Sequence, residues 1–202
     1  MSKLNVACSL TALLVLIIFS GCAKYQPGVL ASLQPEFAPY SEEKSGITLS
    51  VQKLTSGDSK RILNRDIIEK GYQPIQITVK NDTKKYVLFS NQGVNLPTVP
   101  AQEVADKVHT STTGRAAAYG VAGLFIWPLL IPAVVDGVGS AQANEKLDRD
   151  YDAKVMGQVV IQPYATHNGL IFVPVSELQD SFEIILVDRE TKEKISYRVT
   201  GF

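Results

Sequence analysis

Apolar and polar residues alternate along several short stretches in both halves of the chain. Residues 47–51, 75–79 and 195–199 carry an apolar side chain at every second position. This period of two is typical of a strand with one buried face. Other apolar stretches, bounded by turn residues, predict further strands at residues 86–90, 156–162, 170–173 and 182–187.

About seven short strands are predicted, and turns rather than helices separate most of them. This pattern predicts a mainly β fold with an α insert, namely an immunoglobulin-like antiparallel β-sandwich interrupted by an apolar helical hairpin. The Cys–Trp–Cys pattern of antibody domains is absent from the sequence, and a small β-barrel is the alternative architecture. The alternation predicts that Ile77 and Tyr197 face the core and that Thr78 faces solvent. Residues 61–70, followed by Gly71, predict a short helical turn.

A segment from about residue 100 to residue 154 does not follow the strand pattern. Residues 101–113 have a helix-compatible composition and are followed by Gly114, and residues 133–154 predict a second helix. Pro128 and Pro132 would interrupt a single helix, because proline lacks an N–H and its ring clashes with the preceding turn. The sequence therefore predicts two helices joined by a bend at WPLLIP.

The centre of this insert, residues 116–135, contains twenty residues without a charge. A straight helix of that length would rise about 30 Å, enough to cross a bilayer core, but the two prolines and the polar flanking helices argue against a straight crossing. The interpretation is an apolar hairpin whose tip enters a membrane or a partner's groove, and the alternative is a buried hairpin in a soluble core. The predicted contact residues are Leu124, Phe125, Ile126, Trp127, Leu129, Leu130 and Ile131.

Small residues recur at every fourth position on both predicted helices of the hairpin. They are Ala116 and Gly120 on the first helix, and Ala133, Gly137 and Ala141 on the second. Small side chains at this spacing let two helix backbones approach closely, as membrane helix pairs do. These residues are therefore the predicted helix-packing positions.

The N-terminus carries a positive charge at Lys3, an apolar stretch at residues 10–19 and small residues before Cys22. This order is typical of a secretory signal peptide. The sequence FSGC, from Phe19 to Cys22, resembles the lipobox of bacterial lipoproteins, with Phe19 where leucine is commoner. The resemblance implies that residues 1–21 are removed and that Cys22 is diacylated on its sulfur and then N-acylated. The alternative is an ordinary signal peptide with an incidental cysteine.

The residues after Cys22 indicate the membrane to which the protein is sorted and the position at which its domain begins. Ala23 and Lys24 follow without an aspartate, which resembles the outer-membrane pattern of Gram-negative lipoproteins and implies a lipid anchor at the periplasmic face. Three acyl chains exceed the two signals that stable anchoring needs. Residues 22–45, which contain three prolines, predict the acylated N-terminus and a flexible tether. Residues 46–202 then form the domain, with its insert at about 100–154.

Charge and cysteine content narrow the classes of partner. The chain has 20 basic and 20 acidic residues, and loss of Lys3 with the signal leaves nineteen basic ones. Because the two kinds of charge nearly cancel, the chain provides no electrostatic field that would attract nucleic acid. Cys8 is also lost and Cys22 would be acylated, so the mature chain cannot form an internal disulfide and its core must be held by packing.

No group of residues in the sequence predicts catalysis, a cofactor or a metal. His109 and His167 have no second ligand at metal-binding spacing. The three aspartates in residues 148–152 imitate the start of a calcium loop, but Ala153 stands where that loop needs glycine. The GxSxG and P-loop patterns are absent from the sequence.

The sequence thus predicts a non-enzymatic, membrane-anchored structural or interaction lipoprotein of the bacterial cell envelope. Its predicted partners are membrane lipid, through acylated Cys22, and an envelope protein or a second copy of the chain, through the apolar hairpin. The alternative is a binder or carrier of a lipid-like ligand, with the insert as its lid. A hydrolase without a recognisable motif is the third hypothesis. A large complex in mild detergent would indicate the first, and a monomer that copurifies with lipid the second.

Overall fold

The computed structural model describes residues 25–109 and 130–202, and for residues 130–140 it describes the backbone alone. The chain divides into two compact units. One unit consists of Gln26–Val108 and Asp148–Phe202, and the other of Met1–Tyr25 and His109–Leu147. All of the described strands belong to the first unit.

The described residues contain eight strands, which form two antiparallel sheets of four strands each. In chain order they are β1 (Tyr40–Lys44), β2 (Ile47–Lys53), β3 (Tyr72–Asn81), β4 (Val87–Phe89), β5 (Val159–Ile161), β6 (Thr166–Pro174), β7 (Ser181–Asp188) and β8 (Lys194–Thr200). The first sheet has the order β1-β2-β3-β6 and the second the order β5-β4-β7-β8. The predicted mainly β fold is confirmed, with β1 as a strand that the sequence pattern did not predict.

The predicted inward-facing residues are confirmed in both sheets. Ile77 in the first sheet and Tyr197 in the second are fully buried. The Tyr197 hydroxyl donates a hydrogen bond of 2.7 Å to the carbonyl oxygen of Ile47, which satisfies a polar group that would otherwise be costly to bury. Buried side chains of both sheets belong to one hydrophobic cluster, and no described residue between Leu96 and Met156 belongs to it.

Helix α1 (Ser56–Leu63) follows β2, and its first turn is fixed by a capping box. The Thr55 hydroxyl accepts the Asp58 N–H at 3.1 Å, and the Asp58 carboxylate accepts the Thr55 N–H at 3.2 Å. A 3-10 turn (Ile68–Lys70) comes next and ends at Gly71, whose φ of 91° lies in the left-handed region. The structure thus confirms the glycine stop but begins the helix earlier than predicted, because the capping box satisfies the free N–H groups at that point.

The described residues between β4 and β5 contain two further helices, α2 (Ala101–Val108) and α3 (Leu130–Lys154). The prediction that Pro132 lies in the bend is wrong, since the proline lies in the first turn of α3. Proline is tolerated there because the N–H groups of a first helical turn have no partner within the helix. On α2, the carboxylate of Glu103 accepts a hydrogen bond of 2.8 Å from the hydroxyl of Tyr72 in β3. Among the residues that the structure describes, no helix is both long and apolar enough to cross a membrane.

The C-terminal end of α3 packs against the first sheet and against α1. The rings of Tyr151 and Phe172 have centroids 6.0 Å apart, and both side chains are fully buried. The Lys154 ammonium donates a hydrogen bond of 2.9 Å to the carbonyl oxygen of Ile62 in α1. This end of the insert is therefore integrated into the domain.

The predicted tether is corrected by the structure, because the chain joins the domain well before residue 45. Strand β1 pairs with β2 from Tyr40 to Lys44. The preceding residues 26–39, here called the N-terminal segment, also contact the domain, and the N–H of Gly28 donates to the carbonyl oxygen of Arg61 at 3.0 Å. The segment lacks sequence periodicity because its backbone is held by side chains of the sheet and not by a regular ladder of its own.

Candidate functional site

The outer face of the first sheet, which points away from the shared core, has an apolar half and a polar half. The apolar half carries Leu170 and Phe172 of β6, which are fully buried. The polar half lies under the N-terminal segment and is bonded to it. We call it the polar face, and its residues are Ser50, Gln76, Thr78 and Asn168.

Three residues of the polar face bind the backbone of the N-terminal segment. Asn168 and Gln76 donate from their side-chain amides to the carbonyl oxygens of residues 30 and 31, at 2.9 and 2.6 Å. The Thr78 hydroxyl accepts the N–H of Leu33 at 3.0 Å. Because all three bonds engage the main chain of the segment, they fix the path of its backbone without selecting its side chains.

The same three side chains also satisfy one another. The Asn168 side-chain oxygen accepts hydrogen bonds from the Gln76 amide at 2.8 Å and from the Thr78 hydroxyl at 2.9 Å. Gln76 and Thr78 are 4 % and 3 % exposed. The prediction that Thr78 faces solvent is therefore wrong: the side chain does point away from the core, but the N-terminal segment covers it.

A cleft with apolar and polar walls lies between the N-terminal segment and α1. It has a volume of about 240 Å³, and its walls include Leu54 and Ile62. Val29 and Phe37 also line it and are 83 % and 87 % exposed, the two most exposed large apolar side chains among the described residues.

An ion pair borders this cleft on α1. The Arg61 guanidinium lies 2.9 Å from the Asp58 carboxylate, and this contact holds the pKa of that carboxyl below its usual value. Both residues line the cleft, so its rim carries one positive and one negative charge. The rim therefore has no net charge that would select a charged ligand.

Most of the predicted membrane-contact and helix-packing residues lie outside the described part of the chain. Cys22 and the predicted positions from Ala116 to Leu129 belong to this group. Helix α3 contains the predicted positions between Leu130 and Gly137, whose side chains are not described. Ala141 is described and is exposed, and its predicted partner positions, Ala116 and Gly120, lie outside the described residues.

The histidines and the aspartates in residues 148–152 are the side chains that most resemble metal ligands in the sequence. His167 is half-buried in β6, and burial lowers its pKa. Asp150, from the stretch that imitates a calcium loop, is paired with Lys154 at 2.6 Å. Within residues 25–109 and 141–202, no three His, Cys, Asp or Glu side chains are grouped to hold a metal ion.

A buried carboxylate in the second sheet has a structural role. Asp188, at the end of β7, is 1 % exposed. It accepts the N–H groups of Glu190 and Thr191 at 2.9 and 3.1 Å and lies 3.0 Å from the ammonium of Lys85. The lysine and these N–H groups hold the pKa of Asp188 well below its usual value. The carboxylate thus fixes the turn that leads to β8.

Comparisons with protein-family models, with curated proteins and with solved structures returned no significant match to this chain.

Proposed function

We propose that the protein is a lipid-anchored interaction component of the bacterial cell envelope, held at the periplasmic face of the outer membrane by acylated Cys22. The FSGC sequence supports the anchor. The apolar insert, residues 116–135, supports a role in assembly with an envelope protein or a second copy of the chain. We further propose that the domain acts without catalysis.

The strand order supports an immunoglobulin-like sandwich as the scaffold. The neighbours β2, β3 and β6 correspond to strands A, B and E of that fold, and β5, β4, β7 and β8 correspond to C′, C, F and G. Strand β1 is then an additional edge strand. In this assignment the insert occupies the connection between strands C and C′.

One observation carries the proposal of an assembly role. The hydrophobic cluster shared by the two sheets contains no described residue between Leu96 and Met156, so the core between the sheets is filled without the insert, whose ends are buried elsewhere in the domain, at Val104 and Tyr151. A soluble domain rarely keeps a large apolar patch unless the patch has a partner. Twenty uncharged residues placed in one connection are therefore available for an interaction.

The anchor is tested first, by labelling cells with a clickable fatty-acid analogue. The wild-type protein should incorporate the label, and Cys22→Ser should remain an unlabelled precursor. A Cys8→Ser variant serves as the matched control and should be labelled normally, because Cys8 lies in the signal. Labelling of Cys22→Ser would remove the basis of the anchor.

Assembly is tested by crosslinking in the intact envelope, followed by purification in mild detergent. The wild-type chain should elute as a large complex. A variant in which residues 125–131 are replaced by a Gly/Ser loop should elute alone while keeping its fatty-acid label. Elution of both chains as monomers with bound lipid would favour the carrier hypothesis instead.

A further inference from the structure

We propose that the end of the domain beside α1 rests on the bilayer that holds the lipid anchor, with Val29 and Phe37 in contact with lipid. This inference deepens the proposed function and depends on acylation of Cys22. Two features of the chain support it, namely the short stretch between the anchor and the domain and the surface that this stretch reaches.

The chain between the anchor and the domain is short. The N-terminal segment is bonded to α1 at Gly28, whose N–H donates to the carbonyl oxygen of Arg61 at 3.0 Å. Five residues lie between Cys22 and Gly28, and the six steps from one to the other extend by at most about 3.6 Å each, or about 20 Å in total. A tether that ran freely to residue 45 would reach about four times as far. The domain therefore stays close to the membrane.

Two exposed apolar side chains lie at this attachment point, beside a cleft whose wall is half apolar and half polar. Val29 directly follows Gly28, and Val29 and Phe37 project from the N-terminal segment with 83 % and 87 % of their surface exposed. Between them lies the cleft of about 240 Å³, which Leu54 and Ile62 also line. Isolated apolar residues on a surface are ordinary, but a cluster around an open cleft marks an interaction site.

Lipid is the occupant that the chain length favours. The anchor confines this patch to within about 20 Å of the bilayer, so lipid is present at a high effective concentration without a separate partner. The paired charges of Asp58 and Arg61 on the rim leave no net charge that would oppose contact with anionic lipid.

The experiment places a fluorophore at single positions of the full acylated protein. Cys8 is removed with the signal and Cys22 is acylated, so an introduced cysteine is the unique thiol of the mature chain. The variants are Val29→Cys and Phe37→Cys, and the control is Tyr164→Cys. Tyr164 is 66 % exposed, and its N–H donates to the carbonyl oxygen of Thr83, beyond the end of β3 at Asn81. Asn81 lies five residues, or about 17 Å of strand, from Gln76 in the wall of the cleft.

Each labelled protein is reconstituted into vesicles of phosphatidylethanolamine and phosphatidylglycerol. Labels at positions 29 and 37 should be quenched several-fold more by doxyl-labelled lipid than the label at 164. Aqueous iodide should show the opposite order. Circular dichroism of the three variants should match the wild-type protein, since each substitution is made at an exposed side chain.

The outcomes separate this inference from the anchor. Equal iodide quenching at all three positions, with acylated protein that floats with the vesicles, would overturn the lipid contact and leave the anchor intact. Protection of positions 29 and 37 from both quenchers would mean that a second copy of the chain covers the patch, and would also overturn it. If mass spectrometry found no lipid on Cys22, the proposed function and this inference would fall together.

Discussion

The two faces of the first sheet are built in different ways. The inner face packs apolar side chains such as Ile77 against the second sheet. The outer face buries Gln76 and Thr78 almost as completely, but it does so by hydrogen bonds to the backbone of the N-terminal segment. Burial on the inner face therefore rests on apolar packing, and burial on the polar half of the outer face rests on polar groups that are each satisfied.

The difference shows what alternation can establish. A period of two identifies the residues that share a face, and hydrophobicity identifies the face that meets the core. It does not determine whether the polar face meets water or another part of the chain. Thr78 illustrates the point, because its polarity is equally suited to solvent and to the N–H of Leu33.

The largest effect is expected on the inner face. Ile77→Asp would place a carboxylate in the shared cluster without a partner, and we expect a loss of about 4 kcal/mol or more in the free energy of unfolding. Urea unfolding followed by circular dichroism measures it. The matched control Ile77→Val keeps the apolar character and should lose about 1 kcal/mol. Similar losses for both variants would mean that Ile77 does not face the core.

A smaller effect is expected on the polar face. Thr78→Val keeps the shape of the side chain but removes the acceptor of the Leu33 N–H, so we expect a loss of about 1–3 kcal/mol. Hydrogen exchange at Leu33 should also accelerate, since the amide loses its partner. The control is Gln52→Ala on the same face, a half-exposed residue whose loss should change stability by about 0.5 kcal/mol or less. Unchanged exchange at Leu33 would contradict the described contact.

The buried carboxylate of the second sheet gives a pH-dependent effect. The pKa of Asp188 is lower in the folded protein than in the unfolded chain, so its contribution is complete above an unfolded pKa of about 3.9 and is lost as the pH falls towards the folded pKa. The wild-type protein should therefore lose stability below about pH 4 more steeply than Asp188→Asn. Urea midpoints measured from pH 7 downward test this. Parallel pH profiles would show that the charge of Asp188 does not contribute to stability.

The smallest effect on stability is expected in the insert. Replacement of residues 125–131 by a Gly/Ser loop changes neither face of the first sheet, so the thermal midpoint should stay near the wild-type value. The unacylated form should aggregate less, because an apolar patch has been removed. Differential scanning calorimetry and light scattering provide the two measurements. Unfolding of the replaced chain would instead place the segment in a core.

The regular strands were accessible to sequence reasoning because each carries its signal locally. The alternation predicts that the apolar positions of these strands, including Ile77 and Tyr197, face the core, and both residues are buried. The second helix of the insert was also predicted, although Pro132 was placed outside it. A proline early in a helix and a proline that breaks one have the same local sequence, and only the position of the first turn separates them.

The polar face could not be predicted in the same way. Asn168 stands in a stretch that has the composition of a turn, and its partners Gln76 and residues 30–31 are distant in the sequence. Strand β1 was missed for a related reason, since its residues, YSEEK, carry little apolar signal. In both cases the structure arises from pairing between distant segments, for which a local pattern provides no evidence.

The hydrogen bonds of the N-terminal segment have a mechanical consequence. A pulling force applied between the proposed anchor and the domain reaches the bond of Gly28 before the bonds of residues 30 and 31, and these before that of Leu33. These bonds are therefore loaded in succession and not together. Their rupture releases the residues from 28 to 39, about 40 Å of chain at full extension, before the load reaches the backbone pairing of β1 with β2. For a chain anchored at Cys22 as proposed, the segment is therefore an extensible link that lengthens before the folded sheets are loaded.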